Sequence, residues 1–451
     1  MLQTEIHNEY SLVVGMGATG MSIAKFLSEK GRAFHLFDTR SSSMSSEQFS
    51  KLFPTAKQFF ETIDDEILLG ANEIYLSPGV PRDEGVVKRA IDAGTLVVGD
   101  IELFLRETTK PVIGITGSNG KSTVTTLVGL AAEKSGLKVG VGGNIGIPAL
   151  ELLNEQSDLY VLELSSFQLE STNSPHLNVA CCLNISADHM DRYESMSHYV
   201  MAKQRIYQGA EKVVYSLDDA ATVAPSSLHA QRLGFGLNKD IEKNESQFTF
   251  SPQTGWLEKE GQALLHKKDI KIKGVHNVRN ALALYAIADA AAISQDACRE
   301  VLVEFEGLPH RCEYVDEWQG VSFINDSKAT NVGATRAAIS GLAPEYDGLV
   351  LIAGGEGKDA DFEALGRCIN ENVRVLILFG KDRELIAKFV APHVSVHYVT
   401  SMDQAVSTSK QIAQDGELVL LSPACASFDM FENFEHRGQI FNECVKGSVA
   451  A

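Results

Sequence analysis

Ten residues constrain this chain more than any others: Gly114-Ile-Thr-Gly-Ser-Asn-Gly-Lys-Ser-Thr123. The apolar run Pro111-Val-Ile113 precedes them, and a helical pattern, Thr125-Thr-Leu-Val-Gly-Leu-Ala-Ala-Glu133, follows. Strand, glycine loop, Lys-Ser and helix form the layout of a phosphate-binding loop. The glycines let backbone N–H groups converge on an oxyanion, and the helix N-terminus adds partial positive charge. Lys121 is placed to reach the β- and γ-phosphates and Ser122 to hold a magnesium ion. Gly117, Ser118, Asn119, Gly120 and Thr123 supply the rest of the cradle. The strict pattern needs glycine at 115, where this chain has Ile115; its first glycine, Gly114, sits one place earlier. A turn that merely contains Lys-Ser is the competing reading, and the flanking strand and helix argue against it. The chain is therefore read as handling a nucleoside triphosphate, with ATP the first expectation.

A net charge of −19 argues against a nucleic-acid partner and against an anionic membrane surface. A nucleotide must then be held by local Lys, Arg and backbone dipoles, because the overall field does not help. Seven cysteines, with no CxxC pair, read as reduced thiols rather than a disulfide framework or zinc site. No Lys or Arg precedes Lys25, so no signal-peptide n-region is visible, and no apolar run approaches a membrane span. The expectation is a soluble, cytoplasmic protein.

With 451 residues and 44% apolar content, the chain has room for roughly two to four domains with sizeable cores. Residues 11–99 alternate apolar runs with helical patterns: Ser11-Leu-Val-Val14, His35-Leu-Phe37, Glu73-Ile-Tyr-Leu76 and Thr95-Leu-Val-Val98 read as strands. That alternation predicts a mostly parallel sheet with helices on both faces. In the unit carrying the phosphate loop, Asp158–Glu163 and Asn178–Leu183 are further buried strands. Gln247–Phe250, Gly255–Leu257 and Asp269–Ile272 predict antiparallel hairpins, and a helix over about 277–292 closes that unit. A third unit starts near Leu308, with strands at 321–324, 348–352, 374–378 and 418–421.

Several constellations carry chemistry. Gly15-Met-Gly-Ala-Thr-Gly20 follows a strand, and Asp38 ends the next one. Alone, this pattern fits a dinucleotide site with Asp38 on a ribose, or plain helix–strand packing. The adjacent Thr39 and Arg40 suit some other nucleotide equally well. Glu163 ends an apolar strand, where open α/β sheets bind ligands. It could hold magnesium or simply meet solvent. His189, in Asp188-His-Met-Asp-Arg-Tyr193, could be a metal ligand, a base or a hydrogen-bonded surface residue. Lys203 looks like any helical lysine, and an ammonium cannot ligate a metal. Asn325–Asn331, Gly354–Lys358 and Ser422–Ser427 are polar or small-residue loops that follow strands in one unit, which predicts a second binding face there.

These motifs together resemble the Mur ligases of peptidoglycan synthesis. The resemblance runs from residue 12 to residue 442. It rests on the phosphate loop, Gly143-Asn-Ile-Gly146, Leu162–Leu169, Asp188–Tyr193, His276-Asn277, Leu308-Pro-His-Arg311, Asn325–Asn331 and Leu421–Ser427. The last two, with Phe431–Gly438, point to the D-glutamate-adding branch. The Asp-Asn-Pro-Arg motif of the diaminopimelate-adding branch is absent.

The resemblance implies three α/β domains. A UDP-sugar-binding Rossmann-like domain would span 1–98, a central P-loop ATPase-type domain 99–307, and a Rossmann-like amino-acid-binding domain 308–451. It implies that a carboxylate of UDP-N-acetylmuramoyl-L-alanine attacks the γ-phosphate of ATP, and that D-glutamate then attacks the acyl phosphate. By motif, Lys121, Ser122 and Glu163 would hold the triphosphate and a first magnesium. His189 and a carbamate formed from carbon dioxide on Lys203 would hold a second. Asn280, Arg311 and Asp326 would contact adenosine. Asn144 would face the muramoyl-alanine, and Asp38, Thr39 and Arg40 the uridine, which displaces the NAD reading. Thr330, Lys358, Ser427, Phe428 and Phe434 would surround D-glutamate; Phe428 departs from the leucine expected after Ser427. No particular oligomer is required. A folylpolyglutamate synthase, which lacks the first glycine unit, another Mur ligase, an NAD-dependent oxidoreductase and a nucleotide-binding regulator are the alternatives.

Overall fold

The computed structural model describes residues 10–41, 46–83, 85–153, 156–190, 192–238, 246–272, 274–357 and 360–447. Three sheets follow one another along the chain. The first is built from β1 (Ser11–Val14), β2 (Phe34–Asp38), β3 (Gln58–Phe60), β4 (Ile74–Leu76) and β5 (Val97–Val98), in the order β3-β2-β1-β4-β5. All its pairings are parallel. The strand order reverses between β1 and β4, which opens a ligand crevice beside the turn Gly15–Gly20. Gly20 lies so close to the Gly15 carbonyl that a Cβ there would collide with backbone.

The second sheet holds β6 (Val112–Thr116), β7 (Val139–Gly143), β8 (Leu159–Glu163), β9 (Val179–Cys182), β10 (Lys212–Ser216), β11 (Gln231–Gly236), β12 (Ser246–Ser251), β13 (Trp256–Lys259) and β14 (Gln262–His266). Its order is β14-β13-β12-β11-β10-β9-β6-β8-β7. Every residue of β6, β8 and β9 is buried, as expected of strands covered on both faces. Because β6 lies between β8 and β9, the phosphate loop emerges flanked by Glu163 and Leu183-Asn184. The predicted hairpins are present, since β12, β13 and β14 pair antiparallel.

The third of these hairpin strands is misplaced in the sequence reading. Glu260 and Gly261, at φ +51° and +86°, reverse the chain immediately after β13, so Gln262–His266 pairs instead of Asp269–Ile272. Beyond His266 the chain leaves the sheet. Ile270 plugs the core, and the Lys271 N–H bonds the Leu302 carbonyl. The helix predicted over 277–292 runs Val275–Ala291 and is largely buried.

The third sheet has β15 (Glu313–Trp318), β16 (Val321–Asn325), β17 (Leu349–Gly354), β18 (Val375–Phe379), β19 (Ser395–Tyr398) and β20 (Leu418–Leu421), in the order β15-β16-β20-β17-β18-β19. Only β15, at an edge, is antiparallel. The strands that feed the three polar loops, β16, β20 and β17, are neighbours, so those loops share one end of the sheet. Asn331 and Asn433 cap the helices that leave this face, each accepting from a backbone N–H three residues on.

Candidate active site

The phosphate loop has the geometry that its glycines permit. Gly120 sits at φ +81° immediately before the helix Lys121–Lys134, and a Cβ there would come within 2.7 Å of Asn280 Oδ1. That close approach brings the helix Val275–Ala291 to the loop's edge. Asn119 and Asn184 lock the opposite side: Asn119 N donates to Asn184 Oδ1 at 2.8 Å, and Asn184 Nδ2 returns a bond to the Asn119 carbonyl at 2.9 Å.

Lys121 Nζ folds back onto the loop, donating to the Gly117 and Ser118 carbonyls at 2.8 and 3.0 Å. Ser122 Oγ donates to Glu163 Oε2 at 2.7 Å, and Asn144 Nδ2 donates to Glu163 Oε1 at 2.8 Å. Arg311, from beyond the helix that closes the central unit, donates to Ser122 Oγ at 2.6 Å. Burial lowers the pKa of Lys121 and of Arg311, so each gains from an anion at this spot. His310 and Cys312, on either side of Arg311, hold left-handed backbone at φ +61° and +47°. Strain of that kind persists only where surrounding contacts enforce it.

Lys203 is buried on the helix Met196–Gln204. Its Nζ donates to the Gly117 carbonyl at 2.9 Å and lies 4.7 Å from the centre of the Tyr199 ring. Burial first, and the nearby Lys121 charge second, lower its pKa to about 7. His189, at φ +56°, packs edge-on to Phe167 at 5.0 Å, beside Asp188 at 3.7 Å. Asn331 Nδ2 donates to Asp188 Oδ2 at 3.1 Å, joining this segment to the C-terminal unit.

Among the described residues, no three His, Cys, Asp or Glu side chains converge as a metal cage. The Ser122–Glu163 pair is nevertheless an all-oxygen donor set at a phosphate loop. That fits magnesium, which takes one or two protein ligands and completes its shell with phosphate oxygens and water.

A cavity of about 600 Å³ opens beside the loop, between the central and C-terminal units. Asn280, Arg311 and Asp326 all line it. Burial pushes the Asp326 carboxyl up to about 6, although it accepts from Ser422 Oγ at 2.8 Å and the Cys312 N–H at 3.2 Å.

Across the C-terminal face, Ser427 is buried and Phe428 is 67% exposed. The Thr330 N–H bonds the Lys328 carbonyl, and Phe434 opens the helix Phe434–Lys446. Lys358 lies outside the described residues. Two residues that sequence reasoning did not single out hold this face. Arg437, fully buried, donates to Ser327 Oγ, the Ser327 carbonyl and the Cys425 carbonyl at 3.0, 2.7 and 3.1 Å. Lys328 Nζ sits 3.6 Å over the Phe434 ring, and burial lowers its pKa to about 8. Both lie inside quoted motifs, and each is the only Lys or Arg of its motif, Lys328 in Asn325–Asn331 and Arg437 in Phe431–Gly438, which was the available signal.

Asp38, Thr39 and Arg40 lie apart, at the end of β2. Asp38 accepts from Arg40 Nε and Nη2 at 2.8 and 2.7 Å and from the Met16 N–H at 2.9 Å. The Arg40 bonds hold its carboxyl down at about 2. Arg40 itself is exposed, with its guanidinium folded onto that carboxylate.

Fold and site together define a phosphate-loop nucleotide enzyme with a further α/β unit on each side of the nucleotide domain. Three family models match in succession: the Mur ligase MurD-like N-terminal domain over 9–99, the Mur ligase middle domain over 115–288 and the Mur ligase glutamate ligase domain over 310–425. The UDP-N-acetylmuramoylalanine–D-glutamate ligase of Saccharophagus degradans is 51% identical over 95% of this chain and 96% of its own. The ligase of the same name from Teredinibacter turnerae is 48% identical over 98% of both chains. Among solved structures, a pseudomurein peptide ligase type C from Methanothermus fervidus aligns at TM-score 0.62 and 19% identity, covering 98% of this chain and 100% of that one. The MurF ligase of Thermotoga maritima in complex with ADP aligns at TM-score 0.59 and 15% identity, covering 97% and 95%. These two likenesses speak to the fold. The chain belongs to the Mur ligase family.

Proposed function

We propose that this chain joins D-glutamate to UDP-N-acetylmuramoyl-L-alanine at the expense of ATP, in the synthesis of peptidoglycan precursors. The observation that carries this reading is identity of 51% over 95% of the chain to a ligase of that name. The site supports it through a phosphate loop whose Ser122 meets both a carboxylate and an arginine from the next unit.

In this reading an oxygen of the alanyl carboxylate attacks the γ-phosphorus, and the bond to the ADP oxygen breaks. The D-glutamate amine then attacks the acyl carbon. The tetrahedral intermediate expels inorganic phosphate, and the amine nitrogen gives up a proton to form the amide. Most of the catalysis is positioning and charge neutralisation. Lys121 neutralises charge on the transferring phosphoryl group, Arg311 reaches from the adenosine side to Ser122, and the loop N–H groups orient the phosphates. Magnesium, when bound at Ser122 and Glu163, would draw charge from the phosphate oxygens. A second ion would need His189 and a carbamate on Lys203, whose amine burial brings to about 7 and so makes available in its neutral form.

We place the units at 1–98 for the UDP-sugar, 99–307 for ATP and 308–451 for D-glutamate. Asp38, Thr39, Arg40 and Asn144 serve the first substrate, and Asn280, Arg311 and Asp326 the adenosine side. Thr330, Lys358, Ser427, Phe428 and Phe434 serve the amino acid. No helix of the described residues is long and apolar enough to cross a membrane. The test is ADP release with UDP-N-acetylmuramoyl-L-alanine and a panel of D- and L-amino acids. Turnover confined to D-glutamate is expected; a preference for L-alanine or L-glutamate would move the chain to another branch.

A further inference from the structure

The boundary between the first and central units is crossed by arginines. Arg192 donates from Nη1 to the Pro78 carbonyl at 3.1 Å and from Nη2 to the Val80 carbonyl at 3.3 Å. Those carbonyls belong to the loop after β4, which packs on the first glycine turn. Ser77 Oγ donates to the Gly15 carbonyl at 3.0 Å, and Val80 crowds the same glycine. Arg192 therefore grips the segment that shapes the crevice of the first sheet.

Its guanidinium also lies 4.2 Å over the Phe167 ring. Phe167 stacks on Tyr193, with centroids 5.9 Å apart and planes 9° apart, and Tyr193 packs on Tyr199 at 5.0 Å. The Tyr199 hydroxyl meets Ser118 Oγ of the phosphate loop at 3.1 Å, and its ring carries the Lys203 ammonium. Phe167 also holds His189 edge-on. An unbroken series of packed groups thus runs from the first glycine turn to the second. A guanidinium fixed by two carbonyls and a ring tolerates little sliding, and stacked rings transmit displacement because packed interiors compress poorly.

We infer that Arg192 and Phe167 are positioning residues that couple occupancy of the first unit's crevice to the geometry of the phosphate loop. The inference rests on the reading that the crevice takes the UDP-sugar. Neither side chain needs to touch a reacting atom. Their part is to make the loop 77–80 and the loop 117–120 move together.

Coupling of this kind is reciprocal and measurable as a ratio of affinities, which spatial intermediacy alone does not supply. The experiment titrates a non-hydrolysable ATP analogue by calorimetry, with and without saturating UDP-N-acetylmuramoyl-L-alanine. Wild type, Phe167→Leu and Arg192→Gln are compared. Wild type should show nucleotide affinity raised by about fivefold or more when the UDP-sugar is present, within the usual range of such couplings. In both variants the nucleotide alone should bind within about threefold of wild type, while the ratio falls below about twofold. A purely structural role would instead weaken binding of the nucleotide alone and leave the ratio in place. That result overturns the inference, as does a wild-type ratio near one or an unchanged ratio in the variants. Failure of the UDP-sugar to bind wild type at all sinks the functional reading and this inference together. Intact binding with unchanged coupling sinks this inference alone.

Discussion

Lys121 and Lys203 donate to the same oxygen, the carbonyl of Gly117, at 2.8 and 2.9 Å. Two amines converge on one neutral acceptor at the mouth of a phosphate loop. Burial lowers the affinity of each for a proton, and the Lys121 charge lowers that of Lys203 further. Such a pair would be relieved by an anion: in the proposed reading, the triphosphate at Lys121 and a charge-reversing modification at Lys203.

Replacing Lys121 by alanine should lower turnover on the order of a hundredfold or more, the scale of losing a charge aimed at a transferring phosphoryl group. The loop backbone would remain, so the fold should persist with an unchanged circular dichroism spectrum. Steady-state ADP release is the measurement, and near-normal turnover would falsify the assignment.

Arg311 tests the join between the central and C-terminal units. Arg311→Ala removes the guanidinium from Ser122 Oγ and takes a cation from the nucleotide cavity. Turnover should fall by roughly tenfold to a thousandfold, as for other removed transition-state donors. Arg311→Lys should recover only part of this, because an ammonium lacks the planar fork. Full recovery with lysine would show that charge alone suffices. The readout is the ratio of kcat among the three proteins.

How much of this was legible in the sequence depends on how local each feature is. The phosphate loop is local: glycine, Lys-Ser and the flanking periodicities lie within about twenty residues, a span over which motif logic holds. Glu163 was legible as a strand-end carboxylate, but its bond to Ser122 depends on β8 lying beside β6. The Arg311–Ser122 contact spans 189 positions, and no local pattern encodes it. Edge strands also escaped notice. Ser395–Tyr398 has no fully buried residue, so it carries no apolar run to read. Ile270 and Ile272 misled in the opposite direction, because two apolar residues beside a turn look like a strand when one is only a core plug. The three polar loops of the C-terminal unit were read as a shared face, and the neighbouring placement of β16, β20 and β17 is the reason they share it.

Arg437 should matter first to stability. It is fully buried and supplies three hydrogen bonds to the loops after β16 and β20. Arg437→Met keeps much of the volume but strands those buried oxygens. The expected loss is about 2–5 kcal/mol, given about 1–3 kcal/mol for each unsatisfied buried group, partly relieved by water. Urea unfolding followed by fluorescence would measure it. A midpoint equal to wild type would mean that those loops hold without the guanidinium.

Lys203 carries the last prediction. A carbamate forms when the neutral amine adds to carbon dioxide, with loss of a proton, so its yield depends on the amine's protonation state. Burial and the Lys121 charge bring Lys203 to about 7, far below the ordinary lysine range. The neutral share should therefore rise from about one-tenth at pH 6 to about nine-tenths at pH 8, one unit either side of that value. An exposed lysine would stay almost wholly charged over that window. The sign is thus fixed: carbamate, and activity that depends on it, should increase as pH rises from 6 to 8 at constant dissolved carbon dioxide. Carbon-13 NMR with labelled carbon dioxide should show one carbamate resonance that grows across this range and is missing from Lys203→Ala. That variant should also lose most activity, because an anionic oxygen ligand is gone from beside the phosphate loop. Acetate, which can place a carboxylate in the vacated space, should restore part of it. An alanine variant as active as wild type, with no resonance in either protein, would leave Lys203 as a loop-bracing ammonium on Gly117.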